Sequence, residues 1–367
     1  MSTSGIALLL AITPHRFPGL SSFGLAIFLL DLLFFIFITL SIAIRFILYR
    51  RTLRRAFTRP SEALFVPCLL LSVCTIFTNI ADYTRLFLSP QLTRIDGPLA
   101  DFLSGCFWVY LVVTFAFSVF QYHLLFTVKE ERRLVVSAMT PAWILPIFPV
   151  MLAGTLAGAV AKMLSAERAL GVLCAGLAAQ GLGLLVSVFF YATYLSRLMA
   201  FGLPVQRPGM FIAVGPPSFT CAALLNMGGE VPRVFGELGV KAVFVAGEGG
   251  TADVETLALA VRLAATGSAV FLWGLSFWFF ASATVAVVAG MPDRRFHLSW
   301  WSFVFPNVGF TIACVRVGLV VGSKGVLWFS SVMTIALVLA WAFIAFRCVR
   351  AVHKREIVWP GHDEDEG

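Results

Sequence analysis

Between Leu20 and Tyr49 the chain reads LSSFGLAIFLLDLLFFIFITLSIAIRFILY, with one acid and one base. A run of that length leaves no polar face for water, and about 20 apolar residues suffice to cross a hydrocarbon core of about 30 Å. Inside hydrocarbon every backbone N–H and C=O must be satisfied within the segment or by neighbouring protein, so the run has to be helical. Comparable runs recur to the end of the chain. Across 367 residues, 59% are hydrophobic, only 13% are charged and 36 are phenylalanine. Soluble domains carry about 25% charged residues, so the composition excludes a pair of soluble domains and predicts an all-α polytopic membrane protein.

The apolar runs predict ten transmembrane helices, over residues 2–13, 20–49, 61–88, 99–127, 137–162, 166–200, 208–227, 254–290, 298–321 and 325–349. Residues 1–350 read as one transmembrane domain. Residues 228–253, which include GEGGTAD, read as an external loop with little structure, and 351–367, ending GHDEDEG, as a solvated cytoplasmic tail. The first helix is anomalous, since a dozen residues reach only about 18 Å. It is either a half-helix or a segment whose upstream part is absent.

The net charge of +8 resides in short segments between the apolar runs. That placement points to topology and anionic lipid, not to nucleic acid. Sixteen Lys and Arg lie in or beside the connections after the even helices and in the C-terminal segment, against eight beside the others. By the positive-inside rule both termini are expected in the cytoplasm. The seven cysteines all sit in apolar runs without a CxxC pair, and the five histidines form no HxxxH pair. No cofactor, metal or enzymatic activity is expected.

Prolines mark alternate helices. Pro67 falls in the third span, Pro141, Pro146 and Pro149 in the fifth, Pro216 and Pro217 in the seventh and Pro306 in the ninth, while the even spans carry none beyond their ends. Each proline removes a backbone donor and frees a carbonyl, which lipid cannot satisfy. The odd helices are therefore expected to form an inner set around a central wet pore, and the Phe- and Leu-rich even helices an outer ring. The plan is five helical hairpins about one axis. Small residues at spacing four, Gly171, Ala175, Ala179 and Gly183 in the sixth helix and Gly154 and Gly158 in the fifth, predict close helix packing.

The stretches HRFPGLSSFG, RFILYRRT, TRPSEALF, PAWILPIFPVM, GPPSFTCAALL, FLWGLSFWFF and WWSFVFPNVGF, in this order, resemble the tellurite-resistance/dicarboxylate transporter family over nearly the whole chain. That family includes fungal malic acid permeases, fungal sulfite pumps and plant guard-cell anion channels. FPNVGF and GPPSFT look more like the malic acid permease branch. The resemblance implies ten helices with the odd ones lining a pore, and a phenylalanine of the ninth helix that blocks it, for which Phe305 is the match and Phe303 the alternative. It also implies a homotrimer, and it favours a shortened first helix.

An anion in a low-dielectric passage needs donors or positive potential. Neutral candidates are Thr3, Ser4 and Gly5 in the first helix, Ser218 and Thr220 after the Pro216–Pro217 step, and Asn307 after Pro306; Pro146, Pro216, Pro217 and Pro306 would open the backbone there. The bland alternative is that these hydroxyls and amides only re-satisfy carbonyls freed by proline. Arg316 is the charged candidate on the outer side. Asp31, near mid-depth in the second helix, and Arg262 in the eighth are candidates for coupling or an ion pair; Asp31 is either paired or protonated, and proton coupling is its sharper reading. The expected activity is secondary transport of small organic anions, malate or another C4-dicarboxylate, coupled to protons, in the plasma membrane. A channel or exporter for sulfite or chloride is the alternative.

Overall fold

Where the inner helices start is decided by proline. The structure, a computed structural model, describes residues 1–87, 94–130, 133–239, 253–293 and 295–357. The long elements are α1 (Ser2–Ile12), α2 (Leu20–Leu48), α3 (Cys68–Phe87), α4 (Pro98–Thr127), α5 (Phe148–Val160), α6 (Ala166–Phe201), α7 (Gly215–Leu238), α8 (Val254–Val288), α9 (Phe305–Val321) and α10 (Lys324–His353), with a short basic helix, Arg50–Thr58, after α2. No strand occurs among the described residues.

The fifth, seventh and ninth spans are not continuous kinked helices, as the sequence reading has them. Each is a 3-10 stretch followed by an α segment: Pro141–Ile144 before α5, Arg207–Val214 before α7 and Leu298–Phe303 before α9. Pro149, Pro216, Pro217 and Pro306 lie in the first positions of those α segments. There a missing N–H costs nothing, because the first turn of a helix has no intrahelical acceptor for it. Pro67 likewise immediately precedes α3. A second correction concerns residues 228–253, expected as a loop. Helix α7 continues to Leu238 with Pro232 inside it. Arg233 holds that extension, 3.1 Å from Glu230 and 3.6 Å from Glu237 on its own face, and it donates to the carbonyls of Leu164 and Ala161. Residues 240–252, with most of GEGGTAD, and 358–367, with the acidic tail, lie outside the described residues.

Burial separates the two sets. In the most apolar windows of α2, α4, α6, α8 and α10 only 17% to 39% of residues are buried, against 89% for Arg207–Leu238 and 78% for Leu298–Val321. Every residue of α1 from Ser2 to Ala11 is buried, as is all of α5 except Thr155. Packing closes on itself: α1 packs on α3, α3 on α5, α5 on α7, α7 on α9, and α9 returns to α1. The outer helices attach chiefly to their chain neighbours, α2 to α1, α6 to α5, α8 to α7 and α10 to α9. They turn Leu33, Phe37, Phe189, Phe271 and Leu339 outward. Among the described residues seven helices are long and apolar enough to cross a membrane; α1 and α5 are shorter apolar helices.

Outer side chains satisfy the breaks of the inner helices. Tyr110 of α4 donates to the Pro149 carbonyl at 3.0 Å, Tyr191 of α6 to Ala213 at 2.8 Å, and Ser276 of α8 to Val214 at 3.3 Å. Each of these donors is buried. The α5–α6 seam is made by small residues, though not all of those read from the sequence. A Cβ on Gly176 would stand 2.3 Å from that of Ala157, and one on Gly183 2.4 Å from that of Met151, whereas nothing lies within 4 Å of a Cβ on Gly171. The seam is therefore rotated, with Gly171 exposed. Gly176→Val is expected to destabilise the protein by about 1–3 kcal/mol, with Gly171→Val close to neutral. Thermal unfolding of the two variants in detergent checks this.

Candidate functional site

Three phenylalanines meet inside the ring of inner helices. The ring centroids of Phe219 (α7) and Phe305 (α9) are 5.2 Å apart, those of Phe148 (α5) and Phe219 5.8 Å, and those of Phe148 and Phe305 6.1 Å. All three are at most 2% exposed. Phe148 and Phe305 are the first residues of their α segments and each precedes a proline, so the same Phe-Pro step delivers both rings to the same level. Glycine makes room for them. A Cβ on Gly309 would lie 2.5 Å from the Phe219 ring, and one on Gly215 2.7 Å from Phe148.

Cavities flank the triangle. One, of about 300 Å³, lies at the N-terminal ends of the inner helices, walled by Thr3, Cys68, Phe148, Ile212, Phe305 and Pro306 among others. The second, of about 30 Å³, lies further along the same helices, between Leu8 and Ile12 of α1, Thr78 and Asp82 of α3, Thr155 of α5, Phe219 and Asn226 of α7, and Ile312 and Arg316 of α9. All five inner helices wall the smaller space, and four of them, with Ile212 of the 3-10 stretch before α7, wall the larger; aromatic rings fill the level between.

The sequence candidates separate on this frame. Phe305 belongs to the triangle; Phe303 lies outside it, against Phe211 and Trp300. Thr3 and Pro306 line the larger cavity, and Thr3 accepts a hydrogen bond from Trp341 at 3.1 Å. Ser4 is buried against Asn79, whose amide donates to its hydroxyl and its carbonyl, and Gly5 abuts Val308. Pro146 lies in the turn before α5. Pro216 and Pro217 start α7, where Ser218 donates to the Val214 carbonyl and Thr220 to that of Pro216. Asn307 donates to Phe303 at 2.9 Å. The donors of Ser218, Thr220 and Asn307 thus go to the backbone of their own span, the first and last of them to the 3-10 stretch before the α segment, the use that the freed carbonyls require. Gln180, fully buried in α6, donates to Thr220 at 2.8 Å and ties the break to the outer ring.

Of the charged candidates, Arg316 lines the smaller cavity. Arg262 is exposed on α8, so the structure does not bring it to Asp31. Asp31 is buried at 4% in α2, with Oδ1 3.7 Å from the Met1 amino group, and it lines neither of these cavities. Sequence reasoning missed Phe148, Phe219, Asp82 and Lys162. The repeated Phe-Pro step was the available signal for Phe148. Lys162, just past α5, donates to Asn226 at 2.6 Å. No group of three His, Cys, Asp or Glu able to hold a metal occurs among the described residues.

Residues 1–349 match the model of the voltage-dependent anion channel family, SLAC1. The chain belongs to that family. The malic acid transport protein of Schizosaccharomyces pombe is 31% identical over 371 residues, an alignment that takes in 100% of this chain and 79% of that protein. A putative malic acid transport protein of the same organism is also 31% identical, with 80% of it covered. The sulfite efflux pump of Trichophyton rubrum is 27% identical over 95% of this chain and 88% of the pump. The resemblance read from the motifs therefore holds, and the SLAC1 member described here is an integral membrane protein of an anion-transporting family.

Because Gly309 has no slack against Phe219, Gly309→Ala is expected to displace that ring and loosen the triangle. That is expected to cost about 1–3 kcal/mol of stability, and thermal unfolding in detergent checks it.

Proposed function

We propose that this chain is a secondary carrier of small organic anions, malate or another C4-dicarboxylate first among them, coupled to protons. The passage runs along the axis shared by α1, α3, α5, α7 and α9, and the Phe148–Phe219–Phe305 triangle closes it, with Phe305 as the gate. The observation that carries this reading is the sealed aromatic level between two cavities inside a closed ring of buried helices.

Charge supports an anion. The α segments of α3, α5, α7 and α9 all begin around the larger cavity, so the positive ends of their dipoles add there. Neutral helix starts attract an anion without the permanent charge that would trap it. In this reading α1, α3 and α5, with their flanking turns, also cross the bilayer, giving ten crossings as five hairpins. Residues 1–350 form the single transport domain, and the outer helices present their apolar faces to lipid. The larger cavity opens to the cytoplasm, beside the basic 50–59 segment, with both termini on that side. The protein resides in the plasma membrane as a homotrimer.

Export of sulfite is the second reading, favoured by the alignment with a sulfite efflux pump along 95% of the chain. Proteoliposome uptake of labelled malate and of labelled sulfite, with and without an inward pH gradient, separates the two. Malate uptake stimulated by the gradient is the expected result; uptake of sulfite alone replaces the reading with the second, and uptake of neither overturns both. Phe305→Ala is expected to raise anion leak on the order of tenfold, about 1.4 kcal/mol. An unchanged leak in a folded variant moves the gate elsewhere.

A further inference from the structure

The smaller cavity holds charges that the gate does not use. Asp82 (α3), Thr155 (α5), Asn226 (α7) and Arg316 (α9) converge on it from four of the five inner helices, and Lys162 reaches Asn226 from the end of α5. Thr155 carries a hydroxyl sealed from solvent and without a partner among the described residues. Asp82 and Arg316 share the cavity wall, yet no ion pair within 4.0 Å joins Asp82 to Arg316 or to Lys162 among the described residues. Half-buried charges of opposite sign are thus held around a space and not closed on each other. A volume of about 30 Å³ admits roughly two waters, which is the size of a carboxylate group and not of a whole C4 acid.

We infer that this cavity binds one carboxylate of the transported anion between Arg316 and Lys162, and that Asp82 is a resident competitor for those cations which must take up a proton before the anion binds tightly. The inference rests on the proposed passage and names its outer binding site and its coupling group. Arginine suits the role because its planar fork matches a carboxylate; lysine adds a point charge steadied by Asn226. The ionised Asp82 offers those cations the same chemistry as the ligand. It also repels the ligand, since like charges a few ångströms apart disfavour each other. Lys162, Arg316 and Arg85 are the charges acting on Asp82 among the described residues, and Glu230 of α7 acts on Lys162 instead. One proton on the Asp82 carboxylate cancels one negative charge as one anionic group enters. Proton and anion therefore strengthen each other's binding, as linkage requires. Asp31, the carboxylate singled out in the sequence, lines neither cavity, and its cationic neighbour is the Met1 amino group.

The test is equilibrium binding of labelled malate to the purified full chain in detergent at pH 6.5 and pH 8.0, both well above the second ionisation of malate. Methanesulfonate serves as a competing anion of fixed charge. The wild type is expected to bind more tightly at the lower pH. Asp82→Asn should bind at pH 8.0 about tenfold more tightly than the wild type and show a shallower pH dependence, Lys162 retaining its own, while Arg316→Gln should weaken binding about tenfold at both values. Thr155→Val removes only a hydroxyl, and is expected to weaken binding about threefold while keeping the pH slope. Arg262→Gln, on the exposed face of α8, should change nothing. A folded Asp82→Asn that keeps the wild-type pH slope overturns the inference, as does a folded Arg316→Gln or Thr155→Val within about 1.5-fold of wild type. Binding that follows the expected pattern without proteoliposome uptake would instead overturn the carrier reading and leave the site standing.

Discussion

The architecture turns on an obligation that hydrocarbon imposes: no backbone polar group can be left for lipid to satisfy. Four inner elements begin their α segments at or beside a proline, part-way along the span, and each beginning leaves carbonyls and amides outside a regular helix. The outer helices exist in part to answer that need. Tyr110, Tyr191 and Ser276 each send a hydroxyl inward to the carbonyl of a broken element, and Gln180 reaches Thr220. The aromatic donors suit the task, since a tyrosine keeps an apolar body among helices and a polar tip at the break. The double ring is then a consequence of chemistry as much as of packing. Broken helices cannot face lipid, so unbroken ones surround them.

The same breaks set the level of the aromatic triangle. A helix that starts part-way along a span places its first residues at a level fixed by the neighbours it packs on. Phe148 and Phe305 occupy such starts on α5 and α9, and Phe219 lies one turn into α7. Three rings of near-complete burial then meet without any charged group among them. Gly215 and Gly309 let the rings sit against backbone, so the triangle is held by steric fit over a short height.

Much of this was legible in the residues. Hydropathy sufficed for an all-helical chain of long apolar runs, and the alternation of prolines separated the buried elements from the exposed ones. What proline could not convey was the form of the break. A kink and a fresh helix start look alike in sequence, and the 3-10 segments Arg207–Val214 and Leu298–Phe303 have no composition of their own. The register of the small-residue seam failed for a related reason. In a helix as long as α6, glycines at Gly171 and Gly176 are both compatible with close approach, and only the crossing point with α5 selects Gly176. The C-terminal end of α7 was missed because Gly228, Gly229 and Pro232 read as loop, whereas Arg233, bonded to the carbonyls of Leu164 and Ala161, anchors the helix there.

Asp82 was invisible for a more instructive reason. Sequence alone favours Asp31 as the membrane carboxylate of interest, since it stands among LLDLLFF, whereas Asp82 sits near the end of an amphipathic stretch where an acid needs no explanation. Depth in a hydropathy plot measures distance from water along the membrane normal, not distance from a wet interior. Asp31 is deep in an outer helix and lines neither of the two cavities; Asp82 is shallow in an inner helix and lines one. For a polytopic protein whose inner elements are recognisable by their prolines, the acids and bases on those elements are the ones to weigh first, even when they lie close to a span end.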